Sequence, residues 1–259
     1  MPRIIKVMVA VVILGFFCFA NRLFAARPLS TDDAGTVEKG HFELEFGGGY
    51  FKEVARAEET KEVFRATFID LTLTIGLLEN WDIGLSIPYI FIDNPKEKNI
   101  DGFEDIEIST KYRLLEEKKI LPSYALGVAV KTQSANEDKG LGSGQVEVAV
   151  NNIFSQAIGK FAFHLNLGYN FLTERKGQDN TFFYGLALEY PLIEEKLNLV
   201  SEISGETNFS GNFDENITSG LVGFNYALTD WLVFDMGGRF GISKAAAEYE
   251  ITSGFTLTF

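Results

Sequence analysis

The last eleven residues alternate strictly between two kinds of side chain. Tyr249, Ile251, Phe255, Leu257 and Phe259 share one phase, with Ser253 the one interruption, and residues 250–258 of the other phase are Glu, Thr, Gly, Thr and Thr. Because successive side chains of a strand point to opposite faces, this pattern predicts a strand with one apolar and one polar face. Such a strand suits the closing strand of a membrane barrel. The alternative is the edge strand of a soluble sheet.

The same period of two recurs along the chain. In the segment after residue 80, Trp81, Ile83 and Leu85 share a face opposite Asp82 and Gly84. In the segment 217–227 the pattern does not settle which residues share the apolar face. Counting every alternating segment, the sequence predicts twelve strands, at 41–51, 63–76, 81–92, 103–114, 123–133, 145–154, 161–172, 181–190, 197–207, 217–227, 231–242 and 248–259.

The connections between these segments alternate in length. Short joins at 78–80, 156–159 and 228–230 are separated by longer polar loops, which we place at 52–62, 93–102, 134–143 and 208–216. Strands of about eleven residues with short periplasmic turns and long external loops are typical of outer-membrane barrels. The fold predicted is therefore all-β: a transmembrane antiparallel β-barrel of about 12 strands with both termini periplasmic. Trp81 and Trp231 each follow a short turn, where we expect them to anchor the barrel at the membrane interface.

A soluble β-sandwich or a lipocalin-like barrel has the same periodicity, with its apolar faces turned inward. The second face argues against this alternative, since it is rich in Gly, Thr, Ser, Asn and charged residues. The chain also holds 24 Phe and 9 Tyr. A core packed with that many aromatic side chains would be overfull, so the pattern favours a barrel with its apolar faces in lipid.

The amino-terminal end is typical of an exported protein. A short basic region ends at Lys6 and an apolar stretch covers 7–20; we expect cleavage after Leu23-Phe24-Ala25, with Cys18-Phe19-Ala20 as the alternative. This organisation predicts a signal peptide over 1–25, a periplasmic N-terminal segment over 26–40 and the barrel over 41–259. Cys18 is the only cysteine, so the mature chain builds no disulfide. We also consider that residues 26–39 fold into the periplasmic mouth as a plug.

The net charge of the mature chain limits the classes of partner that it can bind. Cleavage removes three of the 23 basic residues and none of the 36 acidic ones, so the net charge falls from −13 to −16. Nucleic acid is excluded as a partner, because its phosphates need Lys and Arg. The partners expected are outer-membrane lipid, small-molecule solutes, periplasmic chaperones and the barrel-assembly machinery, whose C-terminal recognition signal the strand ending at Phe259 resembles.

The mature chain resembles a known family throughout. Residues 27–36, R-P-L-S-T-D-D-A-G-T, followed by G-H-F-E-L-E at 40–45, resemble the start of the bacterial outer-membrane family named for the phenol meta-cleavage pathway. Stretches at 102–106, 111–113, 140–144 and 202–208 agree. The resemblance implies an outer-membrane barrel that passes small molecules, including aromatic ones.

If the apolar faces meet lipid, the alternate residues line the lumen. This inward phase is acidic, and Glu189, Glu202, Glu206 and Asp235 on neighbouring strands form a candidate selectivity ring. Lys111, Arg113 and Arg239 are its basic members, and we expect Lys111 and Arg113 to pair with acids of their own strand. In the structural reading, these charges bridge to one another and hold the wall in register. In the functional reading, the excess acid favours cations. Further inward acids are Glu43, Glu45, Asp70, Asp82, Asp105, Glu107, Glu147, Glu248 and Glu250.

An enzymatic role has little support in the sequence. The chain has two histidines, His41 and His164, and no serine stands beside either in a recognisable motif. No spacing indicates a metal site, and no cofactor is expected. The function predicted is a passive outer-membrane channel for small solutes. The alternatives are a structural or ligand-binding barrel with a closed lumen and, third, an outer-membrane lipid hydrolase.

Overall fold

The computed structural model describes residues 27–57, 60–93, 99–173, 179–207 and 216–259. The predicted signal peptide and its cleavage site lie outside these residues, as do parts of the predicted loops at 52–62, 93–102 and 208–216. The one helix in the described ranges is a single 3₁₀ turn, Glu137–Lys139. None of their helices has the length and apolarity needed to cross a membrane.

Thirteen strands account for most of the described chain. They are β1 Phe42–Ala57, β2 Thr60–Leu78, β3 Trp81–Asp93, β4 Ile100–Phe103, β5 Glu107–Leu115, β6 Ser123–Lys131, β7 Glu147–Ile158, β8 Phe161–Leu172, β9 Thr181–Ile193, β10 Leu197–Thr207, β11 Ile217–Thr229, β12 Leu232–Gly241 and β13 Tyr249–Thr258.

The strands close into a ring. Every pairing is antiparallel between neighbours, β13 returns to pair with β1, and β4 and β5 both pair with β3. The ring therefore has twelve strand positions, which confirms the predicted antiparallel barrel. Its seam is tight at the end of the chain: the Phe42 and Phe259 amides each donate to the other's carbonyl oxygen, at 2.7 and 2.9 Å, and their rings stack.

The predicted strand 103–114 is interrupted after Phe103: β5 begins at Glu107, and β4 lies mostly within the predicted loop 93–102. A proline on the neighbouring strand explains the break. Pro88 of β3 has no N–H to give to the ladder. Between the pairs Tyr89–Phe103 and Ser86–Glu107, three residues of one strand face two of the other, which is a β-bulge.

The predicted loop at 52–62 is wrong in extent. β1 and β2 continue through most of it as a long hairpin, 16 and 19 residues in length. The polar composition of this stretch indicated a loop. However, strand pairing is made by backbone hydrogen bonds, so polar side chains do not prevent it.

The two faces of the wall differ as predicted. In β13, Tyr249, Ile251 and Phe255 are exposed on the outside, while Thr252 and Thr256 are buried inside. The register carries this alternation around the ring, because directly paired residues point to the same face. In β11, where the sequence was ambiguous, Leu221 points inward and Val222 outward (1% and 60% exposed).

Candidate functional site

The chain that precedes β1 lies inside the barrel. Residues 27–41, here called the N-terminal segment, run against every strand of the ring in turn. This position agrees with the hypothesis of a plug. The inner-wall residues that the segment meets are Gly47 on β1, Gly76 on β2, Asp82 on β3, Lys111 on β5, Ala125 on β6, Ser155 on β7, Asn166 on β8, Gly185 on β9, Glu202 on β10, Gly223 on β11, Arg239 on β12 and Thr252 on β13.

Glu202 is the strongest anchor of the segment. Its Oε2 accepts the backbone N–H groups of Ser30 and Thr31 at 2.8 and 2.6 Å. Its Oε1 accepts Arg239 Nη1 at 2.8 Å, and Arg239 Nη2 donates to Ser30 Oγ at 2.6 Å. Hydrogen bonds to an ionised acceptor are stronger than neutral ones. The Glu202–Arg239 pair therefore holds the segment from two sides.

A second anchor lies on β5 and β8. Lys111 Nζ donates to both carboxylate oxygens of Asp32, at 3.0 and 3.1 Å, and to the Asp33 carbonyl at 3.1 Å. The Asn166 side chain accepts the Asp32 N–H at 3.0 Å and donates to its carbonyl at 2.7 Å. The backbone of Asp32 is thus paired as it would be with another strand.

The third anchor brings a serine to a histidine. Ala34 N–H donates to Ser155 Oγ at 2.9 Å, which in turn lies 2.8 Å from His164 Nδ1. His164 Nε2 is 3.5 Å from a Glu189 carboxylate oxygen. Sequence reasoning missed this serine, because β7 and β8 place it opposite His164 only in the folded sheet. The three side chains face the lumen beneath the segment, away from the lipid-facing surface.

Several glycines of the inner wall make room for the segment. A Cβ atom at Gly47 or Gly254 would overlap the Arg27 guanidinium, and one at Gly185 would overlap Thr31 Oγ1. At Gly223 and Gly237 it would approach the ring of Pro28. The absence of side chains at these positions leaves a groove that the segment fills.

The four acids of the predicted ring all face inward, but each has its own partner. Glu189 lies by His164 and Glu202 by Arg239, while Asp235 lies 3.6 Å from Arg27 Nε. Glu206 accepts from Asn170 at 3.4 Å. The structure therefore gathers three of them around the N-terminal segment and its anchors.

The charge pairs expected within one strand are not those that form. Lys111 pairs with Asp32 of the N-terminal segment. Arg113 Nη2 donates to the Glu79 carbonyl at 2.9 Å and lies 3.9 Å from Glu116, which follows β5, at the end of the barrel that carries the short turns. Residues two apart on a strand are about 6.6 Å apart, whereas neighbouring strands are about 4.8 Å apart. A charged side chain therefore reaches a partner on the neighbouring strand over a shorter distance than a partner on its own strand. Glu147, for example, lies 3.5 Å from Lys131 on the next strand.

Glu248 was expected in the lumen, and this is wrong. Its carboxylate accepts Lys52 Nζ at 2.6 Å, and that ammonium lies over the outward-facing ring of Tyr249. Glu250, in contrast, does face the lumen, where Arg239 approaches it at 3.9 Å. Glu248 precedes β13, so the strand alternation does not extend to it.

The other end of the barrel carries an apolar cluster that the sequence reasoning missed. The loop between β6 and β7, residues 132–146, folds inward because Asp105 accepts the N–H groups of Ala135 and Ser143, at 2.9 and 3.2 Å. Leu141 of this loop is then buried against the wall. The apolar mouth, as we call this cluster, consists of Phe51, Ala66, Phe68, Ile90, Ile92, Ile100, Ala135 and Leu141. Apolar residues in the inward phase of β1 to β3 were the available signal.

Trp81 and Trp231, predicted as interface anchors, both lie at the end of the barrel that carries the short turns. Trp81 directly follows the turn at 79–80 and Trp231 is the second residue of the turn at 230–231; both are partly exposed. Trp81 Nε1 donates to Thr110 Oγ1 at 2.7 Å. Among the residues the structure describes, no group of His, Cys, Asp or Glu side chains is arranged to hold a metal ion.

Comparison with known proteins identifies a matching family and several solved structures with a similar fold. Residues 25–259 match the family described as "Putative MetA-pathway of phenol degradation". No curated protein matches the chain.

Three solved structures illustrate the likeness of fold. The COG4313 outer membrane channel from Pseudomonas putida F1 has a TM-score of 0.71 at 14% identity, over 89% of this chain and 100% of that one. The NanC porin has a TM-score of 0.57 at 11% identity, over 82% and 98%. The translocator domain of autotransporter NalP from Neisseria meningitidis has a TM-score of 0.56 at 9% identity, over 85% and 89%. At these identities the likeness concerns the fold.

Proposed function

The chain belongs to the MetA-pathway phenol-degradation family, and from this premise we propose that it is a passive outer-membrane channel for small organic solutes. Its N-terminal segment is the gate of this channel. Solutes move down their gradient, without nucleotide or ion coupling.

One observation carries the proposal: the barrel interior is filled by a separable piece of chain. Barrels of about eight strands are filled by wall side chains, and those of sixteen or more leave an open channel. Twelve strands enclose an intermediate space, which here holds the N-terminal segment. It is held by hydrogen bonds and ion pairs, for which water can substitute when the segment leaves, and by apolar packing of Leu29 and Ala34 against the wall. A closed barrel whose lumen is filled by a segment that can detach is suited to act as a gated channel.

The two ends of the lumen suggest the class of solute. The apolar mouth favours molecules with aromatic or aliphatic surface, because burying that surface removes it from water. Beyond it, the inner wall is acidic, with Glu43, Glu45 and Asp70 in the inward phase of β1 and β2. An acid-lined passage lowers the barrier for cations and opposes anions. Neutral or cationic organic molecules therefore fit best, and aromatic ones accord with the family description.

We also propose a route to the outer membrane and an orientation in it. A signal peptide over 1–25 exports it, periplasmic chaperones carry it, and the barrel-assembly machinery recognises the strand that ends at Phe259. Short turns and both termini then face the periplasm, and Trp81 and Trp231 lie at the inner lipid boundary. Folded barrel that migrates differently on a gel before and after boiling is the first check of this placement.

Single-channel recording in planar bilayers tests the function directly. We compare the mature chain with a chain lacking residues 26–38. The mature chain should show brief openings and the deletion long ones, with cations preferred in both. Glu206→Gln, which touches Asn170 rather than the segment, should lower cation preference without changing the open time. Conductance at the lipid background in both chains would overturn the proposal.

A closed binding or structural barrel is the second candidate, because the segment lies against every strand of the ring. Absence of conductance even after deletion of residues 26–38 would favour it. The Ser155–His164–Glu189 geometry keeps a lipid hydrolase as the third candidate. Ester hydrolysis lost in His164→Ala would support that role, whereas equal background rates in both chains would remove it.

A further inference from the structure

Two aspartates and two glycines lie side by side on four adjacent strands of the inner wall, and the glycines leave a notch between the two carboxylates. In the register of the sheet, Asp70 pairs with Gly47, Gly47 with Gly254, and Gly254 with Asp235. These four residues of β2, β1, β13 and β12 all point inward. The two central glycines leave the space that the Arg27 guanidinium occupies, with Asp235 Oδ2 beside Gly254 and, by register, Asp70 beside Gly47.

The notch holds more negative charge than Arg27 neutralises. Asp235 is fully buried, and within the described parts of the chain neither of its carboxylate oxygens accepts a hydrogen bond. Arg27 Nε, at 3.6 Å, is too far for one, since its guanidinium is directed to Thr252 Oγ1 at 3.0 Å. Glu45, two residues below Gly47 on the same face, likewise has a buried oxygen, Oε1, with no donor in the described chain.

Buried carboxylates require a cation or hydrogen-bond donors, because burial removes their water. The Arg27 guanidinium is within 4 Å of one of these carboxylates, that of Asp235. The site therefore lacks a positive group with several N–H donors. A primary ammonium, which offers three donors on a small atom, has the required chemistry.

Cleavage after Ala25, as predicted from the sequence, creates such a group one residue before Arg27. It converts the amide nitrogen of the residue directly before Arg27 into an α-ammonium, and consecutive Cα atoms are only about 3.8 Å apart. We propose that the Asp70–Asp235 notch is a binding site for the mature amino terminus of this chain. Removal of the signal peptide thus completes the docking of the N-terminal segment.

The proposal couples maturation to closure of the lumen. The uncleaved chain carries a neutral amide before Arg27 and 25 further residues. It can make the anchors of Ser30, Thr31 and Asp32, but it cannot neutralise the notch. The precursor is therefore loosely closed and the mature chain tightly closed. This inference concerns docking of the segment and does not depend on which solutes pass.

Hydrogen exchange on refolded barrels tests the inference. We compare the chain that begins at Ala26 with the same chain acetylated on its α-amino group, and follow the peptide covering 27–37. Loss of one buried charge pair should raise its exchange rate about tenfold or more. Asp235→Asn should have the same effect, and acetylation of that variant should add little, since both changes remove one interaction.

Two controls keep the outcome interpretable. Glu194→Gln changes an exposed carboxylate that pairs with Lys160 in a short turn, so acetylation should act on it as on the parent chain. The peptide covering β10 should exchange equally in all chains, which shows that the barrel is intact; Asp70→Asn replaces any variant that fails this check. Equal exchange of the acetylated and free chains would overturn the proposal. So would a chain isolated from membranes whose first residue, by mass spectrometry, is not Ala26.

Discussion

The substitution Glu202→Gln tests the strongest anchor of the N-terminal segment. It keeps the size of the side chain and removes its charge. In the protein, one carboxylate accepts two backbone N–H groups of the segment and pairs with Arg239 at 2.8 Å. The amide keeps a single oxygen acceptor, so its NH₂ group must face either Arg239 Nη1 or the two segment N–H groups, and one side of the anchor is lost.

The size of the effect follows from the bonds that are lost. A hydrogen bond to a charged group contributes about 1.5–3 kcal/mol net, and breaking a buried ion pair costs about 3–5 kcal/mol. We take about 3 kcal/mol as the destabilisation of the docked segment. Because each 1.4 kcal/mol is a factor of ten, the detached fraction should rise about 100-fold.

A single thiol measures that fraction. Cys18 is the only cysteine and lies within the predicted signal peptide, so Thr31→Cys gives the mature chain one thiol. Thr31 is 2% exposed when docked, and maleimide reaches it only after detachment. Labelling of Glu202→Gln should be about 100-fold faster than labelling of the matched control Glu194→Gln. A ratio below about threefold would refute the reasoning.

Three further predictions use other contacts. Asp105→Asn should free the loop at 132–146, which limited proteolysis detects as faster cleavage there with an unchanged barrel; equal cleavage would deny Asp105 its anchoring role. Gly185→Ala should displace Thr31 and speed hydrogen exchange of the segment, and adding Thr31→Ala should reverse this, because the overlapping Oγ1 is gone. Fluorescence of Trp81 in a Trp231→Phe chain should be quenched most by lipids brominated near the headgroup; stronger quenching by deeply brominated lipids would place it away from the interface.

Most residues of the outer face of the barrel could be predicted from the sequence alone. Which side chains share a face depends only on the period of two, and that period is local. The alternation of Tyr249, Ile251 and Phe255 therefore predicted the exposed surface of β13, and its repetition predicted the ring of twelve. The same rule failed at Glu248, one residue outside the strand, where alternation no longer applies.

The tertiary structure decided which residues of different strands, and of the N-terminal segment, become neighbours inside the barrel. Ser30 and Glu202 are 172 positions apart, and no local pattern relates them. Register placed Ser155 beside His164 and aligned Asp70, two glycines and Asp235 into one notch. The inward residues could be recognised as polar from the sequence, but the partner of each charge is set by the neighbouring strands and by the N-terminal segment. That segment has no periodicity of its own, and only the closed ring around it gives it a structure.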